Sequence, residues 1–385
     1  MTTGYIPDID MQARRMLPIH QVVDKISGRL ARIPLGSRPE FSDPRYLPKE
    51  FNLDYFHRLE RTVFDGQVCF VDGGNSPIFS APNFSVQLVR TYFNLFKGGD
   101  RINPKHLTQR IEFYAICYAV NDGGRIFYES ELVPMKEEFG EFLPDSNDLR
   151  FDSFDATLVL GPMRAPIHRV AETARQFAEW KYLGLAIERE LESGDVIVRD
   201  GTLQTVVTKE RKYANIASNM AVEKDVNLIS LSKTSTLFTS TGYPLMAAIS
   251  ELAEKSKFKD TSWYYNPIVE IKHPDHQAEM FAVKLHPNSD YVFRLEFLKR
   301  QAEMNAPKDF ESIMGAISAN SDDLTFPGYP YGLLDADRFS KVSPNEAENQ
   351  AIQFLSCATD KGALARLNKC LRASNAHDVL NNFGG

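Results

Sequence analysis

Short apolar runs closed off by polar clusters alternate with one long stretch of helical periodicity, and that alternation predicts an α/β chain. Val68-Cys69-Phe70-Val71 is continuously apolar, as suits a strand buried on both faces, and it stops at Asp72-Gly73-Gly74-Asn75-Ser76-Pro77. Further on, IEFYAICYAV and RIFYESELV flank Asn121-Asp122-Gly123-Gly124, which predicts a hairpin around a tight turn. From about Pro166 to Glu192 the residues Val170, Ala174, Phe177, Ala178, Leu183, Leu185 and Ala186 share one helical face, and Ser193-Gly194 ends it. Val196-Ile197-Val198-Arg199 reads as a strand stopping at Asp200-Gly201-Thr202, and Asn227 to Ser232 as another stopping at Lys233-Thr234-Ser235. FAVKL and YVFRLEF predict a second hairpin around His286 to Asp290, and the tail from about Ser343 reads as helices.

Strand, hairpin, long helix, strand, helix, strand, with acids closing two of the strands, is the layout of a ribonuclease H-like fold: a central mixed sheet flanked by helices, here with an added β-hairpin and helical terminal extensions. Residues 1–65 mix Arg-containing helical patterns with Pro breaks (Ile33-Pro34, Arg38-Pro39, Leu47-Pro48) and predict an N-terminal helical or irregular arm. The expected organisation is that arm, a ribonuclease H-like domain over 66–340, and a C-terminal helical extension over 341–385. No internal repeat is visible.

The 385 residues carry 44 Lys+Arg against 51 Asp+Glu, a net charge of −7, which at first argues against a nucleic-acid partner. That charge is concentrated in one segment. Between Glu129 and Asp155 nine acids face two bases, which accounts for the whole excess and leaves the remainder neutral, 42 against 42. The 4 cysteines, Cys69, Cys117, Cys357 and Cys370, have no C-x-x-C spacing and read as reduced structural thiols of a cytoplasmic protein. No apolar run approaches the roughly 18 residues a membrane span needs. The N-terminus has no apolar segment after a basic start, so no secretory signal is expected.

Asp72 and Asp200 each follow four strand residues and precede Gly, so both are expected at the carboxyl edge of the sheet, where open α/β sheets place ligands. Asp-Gly also simply starts turns; two such sites in one sheet favour the functional reading. If the long helix runs antiparallel to the second strand, Asp200 stands about 17 Å above Asp195. Counting back from Glu192, Glu179 lies about 20 Å up the helix, Glu188 about 6 Å and Glu172 about 30 Å, so Glu179 is the acid level with Asp200. The competing role for Glu179 is a helical acid paired with Arg175 or Lys181. Converging carboxylates without His or Cys favour Mg²⁺ or Mn²⁺, and a pair of ions about 3.5 to 4 Å apart suits phosphodiester hydrolysis.

These residues resemble the NurA nuclease family of prokaryotic DNA-end-processing enzymes. The matches run in order: FVDGGNS around Asp72, RQFAE around Glu179, VIVRDGTL around Asp200, LSKTS around Lys233, FRLEF around Arg294 and Glu296, and GYPYGLLDAD from Gly328 to Asp337. They span about residues 66–340. The resemblance implies a Mn²⁺-dependent single-strand endonuclease and 5′-to-3′ exonuclease, a homodimer, and work in DNA end resection and double-strand break repair with the hexameric HerA ATPase translocase. It implies Asp72, Glu179 and Asp200 as metal ligands and Tyr329 as an active-site aromatic. In the family pattern the motif beginning Gly-Tyr-Pro ends in His, where this chain has Asp337. A carboxylate there could be a fourth metal ligand but not the near-neutral acid an imidazole would be. Lys233, and beside it Arg199, are the expected substrate contacts.

Two other readings stay open. Asp72-Gly73-Gly74-Asn75-Ser76 fits the phosphate loop of actin-like and sugar-kinase-like ATP-binding proteins, although that fold needs a duplicated domain; and Asp337 would also suit a non-catalytic partner of a translocase. His168, His273, His276 and His286 lack metal-ligand spacing and read as surface histidines. Trp263, Tyr264 and Tyr265 could stack on bases, but an aromatic cluster before Pro267 more often packs in a core.

Overall fold

The structure, a computed structural model, describes residues 9–60, 64–304 and 307–372. Its centre is a 12-stranded mixed sheet. In chain order the strands are β1 (Phe56–Arg58), β2 (Gln67–Ala81), β3 (Phe84–Lys97), β4 (Asp100–Ile102), β5 (Arg110–Asp122), β6 (Arg125–Pro134), β7 (Phe151–Asp152), β8 (Val196–Asp200), β9 (Asn227–Ser232), β10 (Trp263–Tyr265), β11 (Ala278–Lys284) and β12 (Phe293–Leu298). Their spatial order is β1-β10-β11-β12-β9-β8-β2-β3-β5-β6-β7, with β4 added to β3. Within it, β2, β3 and β5 form an antiparallel meander, and β8 runs parallel to both β2 and β9. The order β5-β3-β2-β8-β9, with that mix of directions, is the ribonuclease H-like core the sequence predicts.

The helices are α1 (Ile9–Leu30), α2 (Ile167–Glu190), α3 (Glu210–Glu223), α4 (Leu245–Glu254), α5 (Lys299–Met304), α6 (Pro307–Ala319), α7 (Tyr331–Ser340), α8 (Pro344–Asp360) and α9 (Leu364–Arg372). Successive strand residues point to opposite faces, so the apolar runs of β2, β8 and β9 feed two cores at once. Cys69, Val71, Ile197 and Leu228 pack with Val170, Ala174, Phe177 and Ala217 under α2 and α3. Phe70, Val198, Ile229 and Leu231 pack with Ile313, Met314, Ile317 and Leu333 under α6 and α7. Trp263 and Tyr265 lie in a third core with Leu245 and Ile249 of α4.

The first hairpin is β5–β6, closed by Gly123 and Gly124 at φ 59° and 82°, where only glycine is unstrained. One expectation is corrected. The strand of Val68 to Val71 does not stop at Asp72 but continues to Ala81, because the antiparallel partner β3 supplies hydrogen bonds after the parallel partner β8 runs out. The Gly-Gly pair is there for close approach rather than for a turn: a Cβ on Gly74 would overlap the Ser340 carbonyl oxygen. A register shift between Pro77 and Phe79 accommodates the proline, which has no N–H to give the ladder. Among the described residues no helix is long and apolar enough to cross a membrane.

Candidate metal centre

Parallel pairing of β2 with β8 ends at Val71 and Arg199, so the next residues, Asp72 and Asp200, stand together at the carboxyl edge. Both point to the α7 face. There α7 adds a third carboxylate, and one oxygen each from Asp72, Asp200 and Asp337 lies within 4.8 Å of the others. The three acids line an open cleft of about 370 Å³ with Gly73, Gly74, Asn75, Ser340, Lys341 and Val342.

Lys233, just past the end of β9, places its ammonium 2.5 Å from Asp200 Oδ2 and 2.6 Å from Asp337 Oδ1. Burial disfavours its charge, but Asp200 foremost, then Asp337 and Asp72, outweigh that and raise its pKa. A cation thus already bridges two of the three acids, as expected where carboxylates converge. Asp72 accepts from the Gly73 N–H at 2.7 Å and from the Ser340 hydroxyl at 3.2 Å. Burial, then Asp200 and Glu179, push Asp72 up to about 7. The donor set is all oxygen, of the kind that could hold a hard divalent cation.

Glu179 lies on the other face, on α2. The structure does not bring it into the group of three: its carboxylate is divided between Arg199, at 2.8 Å, and Arg175, at 2.8 Å. It is nevertheless close, since a Cβ on Gly73 would lie 3.1 Å from Glu179 Oε2. Burial raises the Glu179 pKa against the pull of the two arginines. Arg199 is turned inward rather than toward the cleft; besides Glu179 it donates to the Thr202 carbonyl at 2.5 Å, and it covers the Trp180 ring at 4.5 Å. Tyr329 is buried on the α7 face, and its phenol pKa is raised by burial and then by Asp200, Asp72 and Asp337.

Arg294 and Glu296, from the FRLEF run, form a brace behind the site. Glu296 accepts from the Leu203 N–H at 2.8 Å, tying down the chain as it leaves Asp200, and it pairs with Arg294. His276 belongs to the same network, 3.0 Å from Glu296 and 3.0 Å from the Tyr46 hydroxyl. It is therefore not a surface histidine: the carboxylate and the phenol satisfy both ring nitrogens and make its burial tolerable. Ser340, Lys341 and Arg90 were not legible as site residues. Ser340 follows Asp337 by three residues on one helix, and that spacing is the signal that could have found it.

A ribonuclease H-like sheet with clustered aspartates at its carboxyl edge defines the class: a protein of that fold whose acids could hold a metal ion. The NurA domain matches residues 66–342, and the chain belongs to the NurA family. The crystal structure of the NurA nuclease from Sulfolobus solfataricus is similar over 93% of this chain and 98% of that one, at 14% identity and a TM-score of 0.49. A second crystal structure of NurA is similar over 88% of this chain and 95% of that one, at 9% identity and a TM-score of 0.42. None of the curated proteins matches the chain.

Proposed function

We propose that the chain is a metal-dependent deoxyribonuclease, cutting single strands internally and degrading ends 5′ to 3′, with a pair of Mn²⁺ or Mg²⁺ ions. The convergence of Asp72, Asp200 and Asp337 on one cleft carries the reading. These three would hold the metal, with Glu179 as the adjoining fourth carboxylate. When bound, divalent ions supply Lewis acidity toward the phosphodiester and acidify a water.

The remaining work falls to the chain's own groups. Lys233 is the phosphate contact, its ammonium available to a phosphate oxygen once the acids are neutralised otherwise. Tyr329, its pKa raised, stays protonated and serves as a hydrogen-bond donor beside the acids. Arg199 and Arg175 hold Glu179. Asp337 takes the place of an imidazole, so protonation of the leaving oxygen is left to solvent. Asp72 and Asp200 lie on neighbouring strands of one sheet, which supports this reading over a duplicated ATP-binding fold.

The nuclease domain is assigned to 66–340, between the N-terminal arm and the C-terminal extension. A homodimer in the cytoplasm, working with a HerA-type hexameric ATPase translocase in end resection and double-strand break repair, completes the proposal on the strength of family membership. The test is degradation of single-stranded DNA with Mn²⁺ by wild type, Asp72→Ala and Asp200→Ala. Loss in both variants is expected; equal rates in all three would overturn the site.

A further inference from the structure

The metal centre draws its third carboxylate from a helix rather than from the sheet, so something must fix where that helix ends. We propose that Arg90 is the positioning residue that does so, an inference resting on the metal-site reading above. Arg90 lies on β3 directly opposite Gly74 and is 5% exposed. Its Nη1 donates to the Lys341 carbonyl at 2.7 Å, just past the end of α7. Its Nε and Nη2 donate to Glu112 at 2.8 and 2.5 Å, and Nη2 also to Glu346 of α8 at 2.5 Å. Two acids from different elements thus hold the guanidinium rigid while its remaining arm grips the backbone.

What that grip fixes is the metal centre. The Ser340 carbonyl lies flush on Gly74 in the space a Cβ would need, and the Ser340 hydroxyl donates to Asp72. One helical turn earlier the Asp337 carbonyl accepts from the Lys341 N–H at 3.0 Å, so Asp337 and the gripped residue belong to one capped helix end. The start of α7 is seated separately: Asn94 donates to the Gly332 carbonyl and to Asp335, each at 2.8 Å. Asn94 thus seats the first half of α7, while Arg90 holds the backbone at the end that carries Asp337 and Ser340, where Lys233 also pairs with Asp337 and Tyr92 stacks on Phe339. Because Glu346 lies on α8, the C-terminal helices reach the metal centre through the same guanidinium.

The test is calorimetric titration of Mn²⁺ into the full chain, without DNA, for wild type, Arg90→Met, Arg90→Lys, Asp72→Asn and Ile249→Ala, a control in the separate core under α4. Arg90→Met is expected to weaken Mn²⁺ binding about 10- to 100-fold, as loss of an outer positioning group typically does. Arg90→Lys should fall between it and wild type, since an ammonium cannot reproduce the guanidinium fork. Ile249→Ala, in the core under α4, should lower the melting temperature yet bind as wild type, which separates positioning from general stability. Wild-type affinity in Arg90→Met, with affinity lost in Asp72→Asn, overturns the role of Arg90 alone. Wild-type affinity in Asp72→Asn overturns the metal reading and the positioning role with it. If Arg90→Met does not fold, Glu346→Ala, at a half-exposed position, must weaken Mn²⁺ in the same direction or the proposal fails.

Discussion

Glu179 and Arg199 form an ion pair at 2.8 Å behind the aspartate cleft, with side chains 1% and 9% exposed. Removing Arg199 leaves Glu179 with Arg175 alone, at 2.8 Å, so Arg199→Met is expected to cost about 1 to 3 kcal/mol in urea unfolding. Glu179→Gln should destabilise as well and, in addition, weaken Mn²⁺ binding. Full Mn²⁺ affinity in Glu179→Gln would reduce that acid to a structural partner of the arginines.

Lys233 stands where a cation is needed as long as no metal neutralises the acids. Lys233→Met leaves Asp200 and Asp337 without their shared counter-charge. The expected result is a lower melting temperature in low salt without divalent ions, and a larger Mn²⁺-induced rise than in wild type. An unchanged melting curve would mean that the ammonium contributes nothing to holding the acids together.

Asp72 makes stability depend on pH. Its pKa rises from 3.8 to about 7 in the fold, through burial first and then Asp200 and Glu179. The metal-free folded state therefore takes up a proton that the unfolded chain does not; this contribution to stability is complete below about pH 4 and is lost as pH rises through about 7. Metal competes with that proton. Thermal shift on adding Mn²⁺ should be larger at about pH 8 than at about pH 5.5, and the opposite order would place the titrating group elsewhere.

How far the site was legible in the sequence follows from which forces place each residue. Asp72 and Asp200 end apolar runs of a buried sheet, and period and burial alone locate them. Glu179 is reachable by helical rise, but its arginine partners come from packing and not from spacing. Asp-Gly-Gly reads locally as a turn, and only the long-range partner β3 reveals that the strand goes on. Asp337 was visible through family resemblance alone, since nothing in its neighbourhood says that α7 docks on β2. Burial of His276 is equally non-local, depending on Glu296 and Tyr46 from distant segments.

That docking carries its own prediction. A Cβ on Gly332 would overlap the Phe70 ring, where α7 crosses the sheet. Gly332→Ala is expected to cost about 1 to 3 kcal/mol by overpacking, read in urea unfolding. It should also weaken Mn²⁺ binding, because displacing α7 displaces Asp337. Destabilisation with unaltered Mn²⁺ affinity would show that the helix can shift without moving the acid.

The most direct measurement is anomalous diffraction from crystals of the full chain grown with Mn²⁺. From the metal-site reading, manganese density is expected between Asp72, Asp200 and Asp337, with the Lys233 ammonium withdrawn from at least one of its two aspartates. Manganese bound elsewhere, with Lys233 still bridging Asp200 and Asp337, would contradict it.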